Sequence, residues 1–367
     1  MNPDAKYWVA LSTHNKIGAR TFGKLYKRFK KLANLWQKIS KQELAQAGLD
    51  LAQIDAVLDV ILKKDPDQEL AKVKKLGLDI LILPDENYPK LLKETSDPPG
   101  ILYLKGKILP QDEIALAVVG SRKYSDYGLR ATEKIVWQLA KNKLTIVSGL
   151  ALGIDALAHQ AALEADGRTI AVLGCGLDQI YPVSNIRLAD KILKSDGAIL
   201  SEFPVGMPAL RYNFPIRNRI IAGMSLGTLV VEGAMESGSL ITAQAAIEYN
   251  REVFAVPGSI FSETSEGPNR LIQMGAKMVT SAKDILTELN IEEKASHHQV
   301  LQVIPDTKEE EILLKLLSKP IIVDKLIYES KMDSALVNST LVMLEMKGMI
   351  TNLGGTCYVI KGKLKEG

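Results

Sequence analysis

The chain has 367 residues, of which 46% are hydrophobic and 24% are charged, and its formal net charge is +3. This length and composition allow two or three domains with real cores, so we expect a globular protein. The sequence contains no run of about 18 uncharged apolar residues and no signal peptide at its start. We therefore expect a soluble, cytoplasmic protein without a membrane span.

Residues 1–65 predict a helical domain, because their apolar positions follow a helical period and show no strand alternation. The first 64 residues hold 12 Lys or Arg against 5 Asp or Glu. Six of the basic residues fall in one helical pattern: Arg20, Lys24, Lys27, Arg28, Lys30 and Lys31. A basic helix face is typical of polyanion binding, and a solvated face without a ligand is an equal alternative.

Residues 66–290 predict a doubly wound parallel α/β sheet of the extended Rossmann-like kind. From Ile114 onward, short apolar runs alternate with glycine turns and helical patterns. Continuous apolar runs indicate strands that are buried on both faces, and alternating β and α elements indicate a parallel sheet. Four of these runs end at small residues, so the sequence predicts several glycine- and serine-rich loops at the carboxyl edge, where such sheets bind ligands.

Residues 291–308 are polar and predict a linker, and residues 309–367 predict a winged helix of three helices and a hairpin. The third helix of this domain has only one basic residue near its end, Lys347. A helix that binds a DNA duplex normally offers several phosphate partners. We therefore favour a protein-contact or vestigial role for the winged helix over DNA binding.

Several catalytic classes have no motif in this chain. The phosphate-binding string of nucleoside triphosphatases, the full dinucleotide fingerprint and the usual metal-ligand spacings are all missing. His159 follows Asp155 by four positions on a predicted helix, and we favour a structural hydrogen bond over catalysis for this pair. We expect no cofactor and no metal site.

The candidate ligand residues are small, basic or aromatic and lie at the predicted loop edge. Backbone amides at glycine turns and helix starts bind anions, arginines pair with phosphates, and aromatic rings stack on bases. The candidates are Gly120, Ser121, Arg122, Ser148, Gly149, Arg211, Phe214, Arg217, Asn218, Arg219, Ser237, Gly238, Ser239 and Thr242. For residues 217–219, bracing of the loops is an equal alternative to ligand binding.

These passages closely resemble the DNA-processing protein A family, also called Smf or DprA, of bacterial recombination mediators. The resemblance is strong over roughly residues 66–290 and looser in the two flanking domains. It rests on strings in a fixed order at residues 119–122, 148–155, 174–178, 181–182, 201–204, 214–219, 231–232, 237–239, 256–258 and 267–269.

The resemblance implies a protein that binds single-stranded DNA at the loop edge, forms a homodimer and loads the RecA recombinase during natural transformation. It implies no enzyme activity. By position, Arg122, the Gly120 and Ser121 amides, Arg211 and the turn at 237–239 would hold phosphates, and Phe214 would accept a base. The N-terminal helices resemble a sterile-alpha-motif-like or helix-hairpin-helix-like module.

One alternative comes from a different functional class. Residues 223–228, followed by Glu232, look like a distant version of the signature of nucleoside-monophosphate phosphoribohydrolases, which share this fold. In that hypothesis Glu232 would be catalytic. Met224 and Ser225 interrupt the glycine pair that opens the signature, which makes the hydrolase the weaker hypothesis.

Overall fold

A computed structural model gives the structure of the protein. It describes residues 2–37, 39–291, 302–303, 305–318, 321–347, 349–354, 356–360 and 363–364, with the backbone alone at 302–303, 351–354 and 363–364. The chain divides into two compact units, Met1–Ile285 and Leu286–Gly367. Among the described residues, no helix combines the length and the apolar character that a bilayer crossing requires.

The first unit begins with the predicted helices. They are α1 (Ala5–Ser12), α2 (Ala19–Phe29), α3 (Lys41–Gln46), α4 (Leu51–Lys63) and α5 (Pro66–Lys75), with a 3₁₀ turn at Leu32–Trp36. The side chain of Ser40 caps α3 and that of Asp50 caps α4, each in a reciprocal capping box. Hydrogen bonding at the helix starts therefore supports the helices that the sequence pattern predicts.

These helices share one hydrophobic core with the sheet that follows. The hydroxyls of Ser12 and Tyr103 lie 2.6 Å apart. Gly100 leaves room for Phe22, since a Cβ at Gly100 would lie 2.3 Å from the phenyl ring. The predicted domain boundary at residue 65 stays a prediction, and the packing shows that the helices before it rest directly on the sheet.

Within the described residues, the core of the first unit is a nine-stranded sheet of order β1-β2-β6-β5-β4-β3-β7-β8-β9. Every neighbouring pair from β6 to β9 in that order is parallel, while β2 pairs antiparallel with β1 and β6. The strands are β1 (Asp79–Ile82), β2 (Ile101–Gly106), β3 (Ala115–Val119), β4 (Thr145–Ser148), β5 (Thr169–Val172), β6 (Ala198–Ser201), β7 (Gly227–Val230), β8 (Glu252–Ala255) and β9 (Lys277–Met278).

The helices of this unit confirm the predicted α/β fold class. They are α6 (Lys90–Lys93), α7 (Asp126–Lys141), α8 (Ile154–Glu164), α9 (Ile186–Lys194), α10 (Asn213–Gly223), α11 (Gly238–Glu248), α12 (Glu263–Gln273) and α13 (Ala282–Glu288). Helix α12 contains Pro268, although a proline usually marks a helix boundary. Strand β3 lies between β4 and β7, so the strand order reverses there and opens a ligand position at the carboxyl edge.

The second unit contains the predicted winged helix. Its helices are α14 (Lys308–Leu316), α15 (Val323–Ser330) and α16 (Ser334–Met346), and its strands are β10 (Gln302–Val303), β11 (Ile321–Ile322), β12 (Ile350–Gly354), β13 (Cys357–Ile360) and β14 (Lys363–Leu364). Lys347 forms ion pairs of 2.6 Å with both Asp306 and Glu310. The single basic residue near the third helix is thus already paired. Most of the predicted linker, residues 292–301 and 304, lies outside the described residues.

Candidate functional site

The loops after β3, β4 and β5 meet the start of α10 around one crevice at the carboxyl edge. Arg122, Gly149, Phe214 and Arg217 line this crevice, together with Tyr181. Four candidates from three separate parts of the sequence are therefore neighbours in the fold. Tyr181 belonged to a recognised motif, but the sequence assigned it no role, because one tyrosine in a loop carries no spacing signal.

The outer part of the crevice is aromatic and basic. The Arg122 guanidinium lies over the Phe214 ring at 5.4 Å from its centroid. The Tyr181 ring packs beside Phe214 with centroids 5.8 Å apart, and 48% of Tyr181 is exposed. Arg122 and Arg211 are exposed, and neither has a carboxylate partner among the described residues. Arg211 does not line the crevice and precedes Phe214 by three positions. We call Arg122, Tyr181, Phe214 and the neighbouring Arg211 the rim.

Beneath the rim, Arg217 is buried and ties two strand ends together. Its guanidinium donates to the carbonyl of Gly149 at 2.6 Å and to the carbonyl of Val172. Burial lowers the pKa of Arg217, the Asp155 carboxylate opposes that shift, and the Arg122 charge adds to it. Of the two predicted uses of this arginine, bracing describes what its side chain does.

Ser148 and Gly149, predicted to contact the ligand, both form internal hydrogen bonds. The Ser148 hydroxyl is fully buried and donates to the Val118 carbonyl at 2.6 Å. The Gly149 amide donates to Asp155 at 3.1 Å. A Cβ at Gly149 would lie 2.5 Å from the Arg217 guanidinium, so the packing of the arginine already requires glycine at this position. We call Ser148, Gly149, Asp155 and Arg217 the floor.

The loop after β3 also differs from its prediction. The Ser121 amide, predicted to hold a phosphate, donates to the Glu232 carbonyl at 2.7 Å. A Cβ at Gly120 would lie 2.6 Å from the Ile154 side chain. Because β3 and β7 are neighbours, the amide after β3 continues their hydrogen-bonded ladder. At this loop, the exposed Arg122 side chain remains available to a ligand.

Arg219 does not face the crevice with Arg122. Its guanidinium pairs with the Glu202 carboxylate and donates to the Asp97 carbonyl. Burial lowers the pKa of Arg219, but the facing carboxylates raise it by more. Of the two predicted uses of Arg219, bracing describes what its side chain does, since a guanidinium that is already paired offers little to a phosphate.

The other side of α10 meets the start of α11. Asn218 donates through its side-chain amide to the Gly238 carbonyl at 3.1 Å. The Ser237 hydroxyl caps α11 by accepting from the Ser239 amide at 3.3 Å. Ser239 and Thr242 were predicted to contact the ligand. Both are buried, so their side chains do not reach the surface. Ser237 and Gly238 stay accessible at this turn.

Glu232 is enclosed by hydrogen bonds. Its carboxylate accepts from the Ser125 amide at 2.9 Å, from the Ser125 hydroxyl at 2.5 Å and from the Thr264 hydroxyl at 3.2 Å, and only 1% of the residue is exposed. A Cβ at Gly128 would lie 2.2 Å from this carboxylate. A catalytic carboxylate must reach its substrate, so this geometry does not favour the hydrolase hypothesis.

His159 is buried behind the floor and bonds to Thr169 instead of Asp155. The Thr169 hydroxyl donates to the Ile146 carbonyl, so the Nδ1–H of His159 donates to Thr169 Oγ1 at 2.7 Å. Burial, with a smaller contribution from the Arg217 charge, lowers the pKa of His159 to about 3. The histidine is therefore a neutral structural residue.

The fold defines a doubly wound α/β protein. Its ligand edge has a basic and aromatic surface, the rim, above a buried hydrogen-bonded layer, the floor. The sequence profile described as DNA recombination-mediator protein A matches residues 79–290, and the profile of the DprA winged helix domain matches residues 297–356. The chain belongs to the DNA recombination-mediator protein A family.

Individual relatives agree with this assignment. Protein Smf of Escherichia coli is 46% identical over 246 residues, which is 67% of this chain and 66% of that relative. The X-ray structure of DNA processing protein A from Streptococcus pneumoniae is 38% identical, with a TM-score of 0.67 over 77% of this chain and 97% of that one. The DNA processing protein A of Helicobacter pylori, solved to study its single-stranded DNA binding mode, is 30% identical, with a TM-score of 0.53 over 59% of this chain and 96% of that one.

Proposed function

We propose that this chain binds single-stranded DNA along the rim. Arg122 and Arg211 pair with phosphates, Phe214 and Tyr181 stack on bases, and the turn at Ser237 and Gly238 adds polar contacts. The observation that carries the proposal is the Arg122 guanidinium, exposed and without a carboxylate partner among the described residues, over an aromatic ring. The single-stranded DNA binding mode described for the Helicobacter pylori relative supports the same ligand.

The rim chemistry favours a single strand over a duplex. Aromatic rings bind bases through their faces, which only an unpaired, unstacked strand exposes. The rim also has no projecting helix with several basic side chains, which a duplex-groove contact would use. A single strand can meet cations and rings in turn along the edge.

The cellular role proposed here follows the family resemblance. A protein that holds a strand through exposed cations and rings can protect it and release it to a recombinase, so we propose RecA loading during natural transformation, by a homodimer in the cytoplasm. Holding and transferring a strand breaks no covalent bond, so the proposed role is that of a mediator and not of an enzyme.

The binding experiment uses the full chain and fluorescent oligo-dT, with anisotropy measured over a salt series. We expect oligo-dT to bind far more tightly than a duplex of equal length. Arg122→Ala and Arg211→Ala should each weaken binding and reduce the slope of log affinity against log salt by about 0.7, the value for one phosphate on a single strand.

The matched control is Arg130→Ala, because Arg130 is also exposed but lies in a separate surface depression with Trp137 and Glu164. This variant should keep the salt slope of the natural sequence. Equal slopes in all three variants would remove the rim from the proposed interface.

A further inference from the structure

A second cavity lies on the opposite face of α10. It is a cleft of about 490 Å³ between residues 14–22, the segment after β6 and the start of α10, all within the first unit. The rim crevice measures about 50 Å³. Ligand pockets usually measure about 300–1,000 Å³, so the cleft, and not the crevice, has the size to enclose a small molecule.

Helical spacing separates the two cavities. Tyr212, Ile216 and Arg219 line the cleft, whereas Phe214 and Arg217 line the crevice. The cleft residues recur at intervals of four and three positions, so they lie on one side of the helix. The crevice residues lie on another side. A strand on the rim therefore needs to pass only the first turn of α10 to reach the cleft.

The walls of the cleft are apolar and firmly held. Phe203, Met207 and Ile216 contribute apolar surface, and Tyr212 is 60% exposed beside them. On the opposite wall the Phe22 ring stacks on Trp8, with centroids 5.2 Å apart and planes inclined by 4°, and only 3% of Phe22 is exposed. The exposed Tyr212 ring is therefore the flat apolar surface that a planar ring can stack on.

The deepest part of the cleft offers a hydrogen-bond acceptor. One oxygen of Glu202 pairs with Arg219, and its Oε1 is buried with no hydrogen-bond partner among the described residues. Asp97 at the same end accepts from Tyr249 and Arg219. The unpaired acceptor calls for an N–H or O–H donor from a ligand.

The mouth of the cleft is basic. Lys16 and Arg20 line it, both are exposed, and neither has an ion-pair partner among the described residues. These features match the parts of a nucleotide. The cations at the mouth suit the phosphate, the apolar walls suit the ring, and the acceptor at the base suits the amino group.

We propose that this cleft binds a nucleotide whose base carries an exocyclic amino group, as cytosine, adenine and guanine do and thymine does not. The nucleotide belongs to the strand on the rim, which continues past the first turn of α10. This inference rests on the proposed function, and it makes the N-terminal helices one wall of the DNA site.

The test places a single dC at successive positions of a fluorescent oligo-dT and measures its affinity for the full chain. At one position dC should bind about fivefold more tightly than dT, the lower end of the discrimination that one base contact provides. Free dCMP should compete poorly with the strand. Strong competition by dCMP, with no position effect in the strand, would overturn the placement of the strand in the cleft.

Two sets of variants locate the effect. In Glu202→Gln the amide oxygen must accept from Arg219, so an NH₂ group replaces the unpaired oxygen, and the preference for dC should vanish or change to dT. Lys16→Ala combined with Arg20→Ala should weaken binding of the dC strand more than Lys27→Ala combined with Lys31→Ala, a control pair with the same charge loss outside the cleft.

The two proposals fail in different ways. A chain that does not bind oligo-dT at all contradicts the proposed function itself. A chain that binds oligo-dT through Arg122, yet shows no preferred dC position and loses equal affinity in the two double variants, contradicts the cleft alone.

Discussion

Arginine serves opposite purposes in the rim and in the floor of the ligand edge. Arg122 of the rim is exposed and lies over an aromatic ring, whereas Arg217 of the floor is 4% exposed and donates to two backbone carbonyls. Both line one crevice. The rim therefore keeps its charge available for a ligand, and the floor uses its charge to hold the loops in place.

This difference separates binding from stability within one site. Removing a buried cation, or removing its partners, leaves unpaired polar groups in a medium of low dielectric. An exposed arginine is solvated with or without a ligand, so its removal changes the fold little. Variants of the floor should unfold the protein, and variants of the rim should release the strand.

The largest expected effect is that of Arg217→Ala. It leaves the Gly149 and Val172 carbonyls and the Asp155 carboxylate without their cation, so we expect a loss of about 3–5 kcal/mol in the free energy of unfolding. Chemical denaturation measures it. Arg122→Ala should change the same quantity by less than about 0.5 kcal/mol. Similar losses in both variants would erase the distinction between rim and floor.

Gly149→Ala should have the next largest effect. Its Cβ would lie 2.5 Å from the Arg217 guanidinium, which is held by its carbonyl partners and cannot easily move. We expect a loss on the order of 1–3 kcal/mol, the usual result of overpacking. Gly238→Ala is the control, because a Cβ at Gly238 meets nothing within 4 Å. If Gly149→Ala were as stable as its control, the floor would be looser than its hydrogen bonds indicate.

For a change of one pH unit, the smallest effect is a dependence on pH. The folded pKa of His159, about 3, lies below its ordinary value of 6.5, so in acid the unfolded chain takes up a proton that the folded chain does not. This contribution to stability is complete above pH 6.5 and is lost as the pH falls toward 3, by about 1.4 kcal/mol per pH unit.

The variant His159→Asn separates the pH dependence due to His159 from that due to the buried carboxylates. The asparagine amide nitrogen can take the place of Nδ1, and it does not titrate. The difference in unfolding free energy between the natural sequence and this variant should shrink as the pH is lowered from 6.5. A constant difference would show that His159 takes up a proton in the folded protein as readily as in the unfolded chain. The region behind the floor would then be more accessible to water than its burial indicates.

Much of the fold could be predicted from the sequence, because its signals are local. Buried parallel strands must be apolar throughout, and the turns that follow them need small residues, so the strands from β3 to β8 and their loops were predicted correctly within a few residues. Strand β9 was not predicted, because its two residues, Lys277 and Met278, are exposed and show no strand pattern.

The candidate site was predicted less completely. The sequence identified the crevice residues Arg122, Phe214, Gly149 and Arg217. It assigned the first three to the ligand and left bracing and ligand binding open for Arg217. It gave Tyr181 no role, and it could not show that Asn213 donates its side-chain amide to the Gly174 carbonyl at 3.0 Å. These contacts join residues far apart in the chain, so no local spacing encodes them.

The sequence by itself determined the alternation of strands and helices, the small loops at one edge and the presence of arginines and aromatic residues beside them. Only the tertiary structure decided which arginines face the solvent. Arg211, Arg217 and Arg219 lie within nine positions of one another, yet the packing of α10 against the sheet buries two of them and exposes the first. Burial and partners, and not residue type, decide whether a guanidinium stabilises the fold or is free to bind a phosphate.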